Sequence, residues 1–122
     1  MHKALILFTL ILLVAPCAAQ SGPDAVPVKD ITPQELFAGL PRVHVIDVNE
    51  ADNYAFAHVP GAKLLDYDAI TPEVLPADKS GALVFYCWST ECPAAATAAG
   101  SAVRMGFTKV YCMHAGITGW QD

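Results

Sequence analysis

Basic side chains are scarce in this chain, where seven of the 122 residues are Lys or Arg and 12 are Asp or Glu. The formal net charge of −5 argues against nucleic acid and anionic membrane surfaces as partners, because both attract positively charged proteins. Cysteine is also scarce, with four residues, and one of these, Cys17, lies in an N-terminal targeting segment. The remaining three cannot all pair within one molecule, so a scaffold held together by disulfides is not expected.

The N-terminus has no apolar run of the length needed to cross a bilayer, which is about 20 residues. The run Ala4–Ala15 follows His2 and Lys3 and suits the core of a secretory signal peptide. Small residues at 17 and 19 predict cleavage after residue 19, so residues 1–19 form the expected signal peptide and the protein is exported, to the periplasm if the source is bacterial. A lipoprotein acylated at Cys17 is the less favoured alternative, and only in that case is a membrane partner expected.

The chain that remains after cleavage is long enough for one compact domain. Residues 20–27 are rich in Ser, Gly, Pro and Asp and predict a flexible leader, so the domain is expected over residues 28–122. Thr32, Pro33 and Glu35 predict the start of a helix, with Thr32 as the N-cap and Glu35 completing a capping box. Gly39 is the predicted end of this helix.

The rest of the chain alternates between short strand patterns and helix patterns. Strands are predicted over residues 43–48, 63–65, 82–86 and 109–112, and helices over residues 50–57 and 93–105. Residues 66–79 are expected to be irregular or to form single helical turns. This alternation favours an α/β fold with a mainly parallel sheet that is covered by helices on both faces.

The segment around Cys87 is the most informative part of the chain. The apolar run Ala82–Tyr86 is typical of a buried strand, and Cys87 follows it directly. Cys92 precedes Pro93 and an alanine-rich helix, so Cys87 is expected in a short loop that leads from a strand end to a helix N-terminus. Backbone N–H groups and the helix dipole stabilise an anion at such a place. The Cys87 thiol is therefore expected to have a lowered pKa and to act as a nucleophile.

Several motifs, in their order and spacing, resemble the rhodanese-like family. The resemblance covers about residues 28–121, and the matching segments are Val45–Glu50, Tyr54, His58–Ala62, Phe85–Cys92, Gly106–Phe107, Val110–Tyr111, Ala115–Ile117 and Trp120. It implies a single α/β domain with a central five-stranded parallel sheet. It also implies that Cys87 accepts a sulfane sulfur as a persulfide, without a cofactor or metal, and passes it to a nucleophile. The implied donor is thiosulfate or a related small sulfur compound. The implied acceptor is cyanide or a thiol, either of a small molecule or of a protein.

The loop from Cys87 to Cys92 has six residues, the length that the resemblance associates with sulfurtransferases. Related phosphatases have a loop one residue longer, closed by an arginine that binds phosphate. This chain has no Lys or Arg between Tyr86 and Val103, so phosphoryl transfer is not expected. The N–H groups of the loop, which contains Trp88, Ser89, Thr90 and Glu91, are expected to face the Cys87 sulfur and to stabilise it as thiolate or persulfide.

The chain departs from the family pattern mainly in charge and in its second cysteine. Trp88 stands where many members have a basic residue, and Asn49 stands where the family has the arginine of an Asp-Val-Arg motif. Glu91 adds a negative charge to the loop. Together these three differences weaken the expected attraction for thiosulfate. Cys92 is either an inert packing residue or a resolving thiol that attacks an oxidised Cys87 and forms a disulfide. A second hypothesis is therefore a thiol–disulfide or sulfur-binding module with little thiosulfate turnover. A third is a non-catalytic interaction domain.

Four further residues are candidates for supporting roles. Asp47 is expected to hold a loop or helix end rather than to act as a base, and His58 is expected to order its turn. Cys112 is expected to be a buried structural thiol, and His114 either an exposed loop residue or a neighbour of the site. Zinc binding by the cysteines lacks a fourth ligand, so no metal is expected.

Overall fold

The computed structural model describes residues 27–121. The predicted signal peptide with Cys17, and the predicted leader up to residue 26, lie outside the described residues, as does Asp122. Within residues 27–121, no helix is both long enough and apolar enough to span a membrane.

The described chain forms five strands and four α-helices. The strands are β1 (Lys29–Asp30), β2 (Val43–Asp47), β3 (Lys63–Leu64), β4 (Ala82–Tyr86) and β5 (Val110–Met113). The helices are α1 (Pro33–Gly39), α2 (Ala51–Phe56), α3 (Ala94–Arg104) and α4 (Gly116–Gln121), with a 3₁₀ helix (Leu40–Arg42) after α1. All neighbouring strands are parallel, in the order β1-β5-β4-β2-β3, which confirms the predicted α/β fold with a five-stranded parallel sheet.

Helices pack on both faces of this sheet, because the inner strands are apolar on both sides. Leu83 and Phe85 of β4 face the alanine-rich side of α3. Val84 and Tyr86 point to the opposite face, into a cluster that contains Leu36 of α1 and Ile117 of α4. Burial of both faces explains why β4 reads as a continuous apolar run rather than an alternating pattern.

Local hydrogen bonds explain the accurate prediction of α1. The Glu35 N–H donates to the Thr32 hydroxyl at 3.1 Å, and the Thr32 N–H donates to the Glu35 carboxylate at 2.9 Å. This is the predicted capping box. In α3, Pro93 is the N-cap rather than the first helical residue that the sequence predicted. Gly106 ends the turn after α3 with a φ of +100°, a conformation that favours glycine.

Candidate active site

Cys87 lies directly after β4, at the carboxyl end of the sheet. Its side chain is 5% exposed and borders a cavity of about 480 Å³. The cavity lies between the residues that follow β2, the segment after β3, and the loop that carries Cys87. Its lining residues are Val48, Asn49, Glu50, Asn53, Asp66, Tyr67, Asp68, Cys87, Trp88, Cys92 and Ala94. The structure therefore places the predicted nucleophile beside a space that would hold a small substrate.

Cys87 and Cys92 are joined by a disulfide, with their Cα atoms 6.1 Å apart. This separation lies within the usual range for disulfides. The second cysteine thus faces the first, as a resolving thiol would have to do. Cys92 is half-buried at the cavity wall, and its N–H donates to the Ser89 carbonyl at 3.2 Å within the loop.

The start of α4 holds the loop from behind. The N–H groups of Ile117 and Thr118 donate to the carbonyls of Cys87 and Trp88 at 3.0 and 3.1 Å. A Cβ atom on Gly116 would lie 2.5 Å from the Trp88 backbone, and Gly116 has a φ of +65°. Only glycine allows so close an approach in this conformation, so Gly116 is part of the site's framework.

Four successive N–H groups of the loop remain free for a ligand. Among residues 27–121, the N–H groups of Trp88, Ser89, Thr90 and Glu91 donate to no backbone carbonyl or side chain. The carbonyls of Cys87 and Trp88 accept hydrogen bonds from α4, and these bonds hold the loop in place. The four N–H groups are therefore not needed to order the loop. The arrangement is compatible with the predicted cradle of N–H groups for an anionic sulfur.

A buried carboxylate connects β2, β4 and the turn after β2. Asp47 is 0% exposed, and its carboxylate accepts hydrogen bonds from the Asn49 N–H at 2.8 Å and the Tyr86 hydroxyl at 2.6 Å. The Tyr86 hydroxyl also accepts a hydrogen bond from the Val59 N–H at 3.0 Å. Burial, and next the bond to Asp47, raise the pKa of Tyr86, so it stays a hydrogen-bond donor. Asp47 therefore lies where it holds a loop, and it does not border the cavity.

Asn49 is a component of the site that the sequence analysis considered only as a missing arginine. Its side chain is 7% exposed, and its Oδ1 atom lies 3.6 Å from the Cys87 sulfur. A disulfide sulfur has no proton to donate, so this approach becomes a hydrogen bond only when Cys87 is a thiol. Within the described chain, the buried Nδ2 atom of Asn49 has no hydrogen-bond partner. A 180° rotation of the amide would direct this donor at the Cys87 sulfur.

The other three candidate residues lie away from the cavity. His58 stacks on the Tyr54 ring, with centroids 3.9 Å apart, and its Nδ1 atom lies 2.7 Å from the Tyr54 carbonyl oxygen. Cys112 is a free thiol, 1% exposed, and burial, with a smaller contribution from Asp30, raises its pKa to about 11. His114 lies between Cys112 and Asp30, with Nδ1 3.8 Å from the Cys112 sulfur and Nε2 2.9 Å from the Asp30 carboxylate. None of the three lines the cavity beside Cys87.

The cavity is acidic. Glu50, Asp66 and Asp68 line it, and no described Lys, Arg or His residue does. No group of three or more metal-ligating side chains occurs within residues 27–121.

Comparisons with known proteins find a matching family model, related sequences and similar folds. The sequence model of the rhodanese-like domain family matches residues 32–122. The thiosulfate sulfurtransferase GlpE of Pseudomonas fluorescens is 30% identical over 78 residues, which cover 64% of this chain and 70% of that protein. The crystal structure of a rhodanese-like domain protein from Staphylococcus aureus is 26% identical with a TM-score of 0.63, covering 78% of this chain and 93% of that one. The BH2092 protein of Bacillus halodurans is 23% identical with a TM-score of 0.68, covering 76% and 71% of the two chains.

Proposed function

The chain belongs to the rhodanese-like domain family, and on that premise we propose that it is an exported sulfurtransferase that carries a sulfane sulfur as a persulfide on Cys87. The position of Cys87 carries this proposal. Cys87 lies at the end of β4, borders the cavity, and is followed by four loop N–H groups that are free for a ligand among the described residues. The GlpE relatives, which are named thiosulfate sulfurtransferases, support sulfur transfer as the reaction.

The reaction starts from the reduced form of the site, so a thiol reductant must first open the Cys87–Cys92 disulfide. The Cys87 thiolate then attacks the sulfane sulfur of the donor, and the donor's sulfur–sulfur bond breaks with its electron pair on the leaving group. The product is a persulfide on Cys87. An acceptor thiolate next attacks the outer sulfur of this persulfide, and Cys87 leaves as a thiolate. The loop N–H groups stabilise the negative charge on the Cys87 side in both steps.

The Cys87–Cys92 disulfide favours a second candidate function, thiol–disulfide exchange. In this reaction the Cys92 thiolate attacks the inner sulfur of the Cys87 persulfide, forms the disulfide, and releases hydrosulfide. A sulfenic acid on Cys87 would react in the same way and release water. Both steps end in the disulfide that the structure contains.

Intact mass spectrometry separates the two candidates. The protein is reduced, freed of reductant, and incubated with thiosulfate or with a polysulfide, alongside Cys87→Ser, Cys92→Ser and, as a matched control, Cys112→Ser. Sulfur transfer predicts the gain of one sulfur atom in the parent and in Cys112→Ser, none in Cys87→Ser, and a longer-lived adduct in Cys92→Ser. Release of sulfide with loss of two hydrogens, and no lasting adduct, would favour thiol–disulfide exchange. Sulfur uptake by Cys87→Ser equal to that of the parent would contradict both.

Export is supported by the signal-like pattern of residues 1–19 and is tested separately. The full chain is expressed in a bacterium, and the mature protein is recovered from the periplasmic fraction for N-terminal sequencing. The proposal predicts a mature N-terminus at Gln20 and a soluble protein. A membrane-bound protein that Cys17→Ser releases would instead show the lipoprotein alternative. A protein that keeps Met1 and stays in the cytoplasm would contradict export.

A further inference from the structure

The charge around the Cys87 cavity is unusual for a site that would bind an anionic sulfur compound. Three carboxylates line the cavity, at Glu50, Asp66 and Asp68, and all three residues are exposed at its mouth. Lys63 is the basic residue nearest in sequence to Asp66 and Asp68, but it lines a different cavity and donates to the Val74 carbonyl at 3.2 Å. These three carboxylates therefore favour a cation over a dianion at their side of the cavity.

Aromatic side chains add a second feature that suits a cation. Tyr67, which is 45% exposed, and Trp88 both line the cavity. The ring of Phe56, 77% exposed, lies 6.5 Å from the Trp88 ring and extends the aromatic rim. Aromatic faces next to carboxylates are the environment in which proteins bind ammonium and guanidinium groups.

The inner end of the cavity carries an unused donor. Asn49 lines the cavity beside Cys87, is 7% exposed, and has a buried Nδ2 atom without a partner among the described residues. A buried donor of this kind calls for an acceptor. Rotation of the amide by 180° would bring Nδ2 to the place that Oδ1 now occupies, 3.6 Å from the Cys87 sulfur, where a thiolate or persulfide would accept its hydrogen bond. The cavity thus offers a donor for sulfur at its inner end and negative charge at its mouth.

We propose that this cavity selects a positively charged thiol as the sulfur acceptor, a preference that rests on the proposed sulfur transfer through Cys87. The acceptor's ammonium or guanidinium group binds at Asp66 and Asp68, and its thiolate reaches the outer sulfur of the Cys87 persulfide. A new sulfur–sulfur bond forms on the acceptor, and the bond to Cys87 breaks with its electron pair on Cys87. Small aminothiols and cysteines flanked by lysine or arginine share this chemistry.

The test compares three small thiols of similar size and different charge: cysteamine, 2-mercaptoethanol and mercaptoacetate. The Cys92→Ser variant is loaded with one sulfur, and its loss of sulfur to each thiol is timed by mass spectrometry. Each rate is divided by the rate of the same thiol with a free low-molecular-weight persulfide, which removes differences in intrinsic nucleophilicity. We expect a preference for cysteamine over mercaptoacetate of roughly tenfold or more at low salt, falling as salt is added.

Charge variants, added to Cys92→Ser, assign the preference to the cavity. Asp66→Asn combined with Asp68→Asn removes two of the three lining carboxylates. The normalised rate ratio of cysteamine to mercaptoacetate should therefore fall to about a third or less of its value in Cys92→Ser alone. Asp52→Asn is the matched control, because Asp52 is an exposed acid on α2 that does not line the cavity. A lysine-cysteine-lysine peptide, compared with a glutamate-cysteine-glutamate peptide, shows whether the preferred acceptor is a peptide cysteine. A preference for cysteamine or for the lysine-cysteine-lysine peptide supports the inference. Which of the two is preferred shows whether the acceptor is a small aminothiol or a peptide cysteine.

A second reaction keeps this inference separate from the proposed function. The same thiols are used to open the Cys87–Cys92 disulfide of the parent protein, which requires no persulfide. Each rate is here divided by the rate of the same thiol with a low-molecular-weight disulfide. If no persulfide forms on Cys87 but cysteamine opens the disulfide faster than mercaptoacetate does, sulfur transfer is wrong and the cationic preference stands. If a persulfide forms but all three thiols accept it equally, or if the Asp66 and Asp68 variants behave like Asp52→Asn, the inference is overturned and sulfur transfer stands.

Discussion

Replacing Tyr86 with phenylalanine removes one oxygen atom from the buried end of β4, together with two hydrogen bonds. The hydroxyl donates to the Asp47 carboxylate at 2.6 Å and accepts from the Val59 N–H at 3.0 Å. Tyr86 and Asp47 are both 0% exposed, so water cannot replace the lost oxygen without opening the core. The carboxylate keeps the Asn49 N–H as its remaining donor among the described residues.

The magnitude follows from the two bonds. A hydrogen bond to a charged group contributes about 1.5–3 kcal/mol, and a buried donor left without a partner costs about 1–3 kcal/mol. The lower ends of these ranges together give a loss of about 2.5 kcal/mol in the free energy of unfolding for Tyr86→Phe. For a domain of this size each kcal/mol lowers Tm by about 4–8 °C, so Tm is expected to fall by at least about 10 °C.

Urea unfolding followed by circular dichroism measures this loss, and Tyr111→Phe is the matched control. Tyr111 is half-buried on β5, and its hydroxyl makes no hydrogen bond within residues 27–121. Its removal is expected to change the free energy of unfolding by less than about 0.5 kcal/mol, as is usual for substitutions away from buried networks. Equal losses in the two variants would refute the account of Asp47 and Tyr86 as a connected pair.

Three further predictions concern other parts of the domain. Gly116→Ala is expected to lower the free energy of unfolding of the domain more than Gly61→Ala does. Both glycines have a positive φ, but of the two only Gly116 would bring a Cβ against backbone atoms. Equal losses of stability in urea would contradict this. The pKa of the Cys112 thiol is about 11 in the folded state, against an ordinary value of 9.0. The protonated thiol therefore contributes fully to the free energy of unfolding below pH 9, and this contribution is lost as the pH rises to about 11. Urea titrations from pH 8 to 11 should show a steeper decline for the parent than for Cys112→Ala, and parallel curves would exclude this contribution. Thr32→Ala should cost about 1 kcal/mol through loss of the capping box, and an unchanged urea midpoint would show that the cap is dispensable.

Elements with local signals could be predicted from the sequence, and elements that depend on distant partners could not. The capping box of Thr32 and Glu35 and the apolar run of β4 are encoded within a few residues. The two-residue strand β1 has no periodicity of its own and forms by pairing with β5. Helix α4 has six residues, two of them glycine, and its first N–H groups are satisfied by the carbonyls of Cys87 and Trp88. Neither β1 nor α4 was predicted from the residue pattern.

The same distinction applies to the site. Cys87 and Cys92 stand five positions apart, so the sequence was sufficient to place both in one loop. The buried amide of Asn49 comes from 38 positions earlier, and Asp66 and Asp68 come from a segment without regular structure. Their approach to Cys87 depends on the path of the chain over the sheet. His114 follows the strand next to β4, yet it pairs with Asp30 because β1 lies on the far side of β5. Export remains a prediction, since residues 1–19 lie outside the described part.

The order of the strands also has a consequence for how the domain folds. The last strand in chain order, β5, lies between the first, β1, and the central strand β4. A chain interrupted before β5 would therefore lack the partner of β1, one neighbour of β4, and the α4 N–H groups that hold the loop after Cys87. The two cysteines of that loop are five positions apart, so they can meet before these contacts form. Thiol oxidation can thus precede completion of the sheet, whereas the loop gains its hydrogen bonds to the Cys87 and Trp88 carbonyls only when α4 is in place.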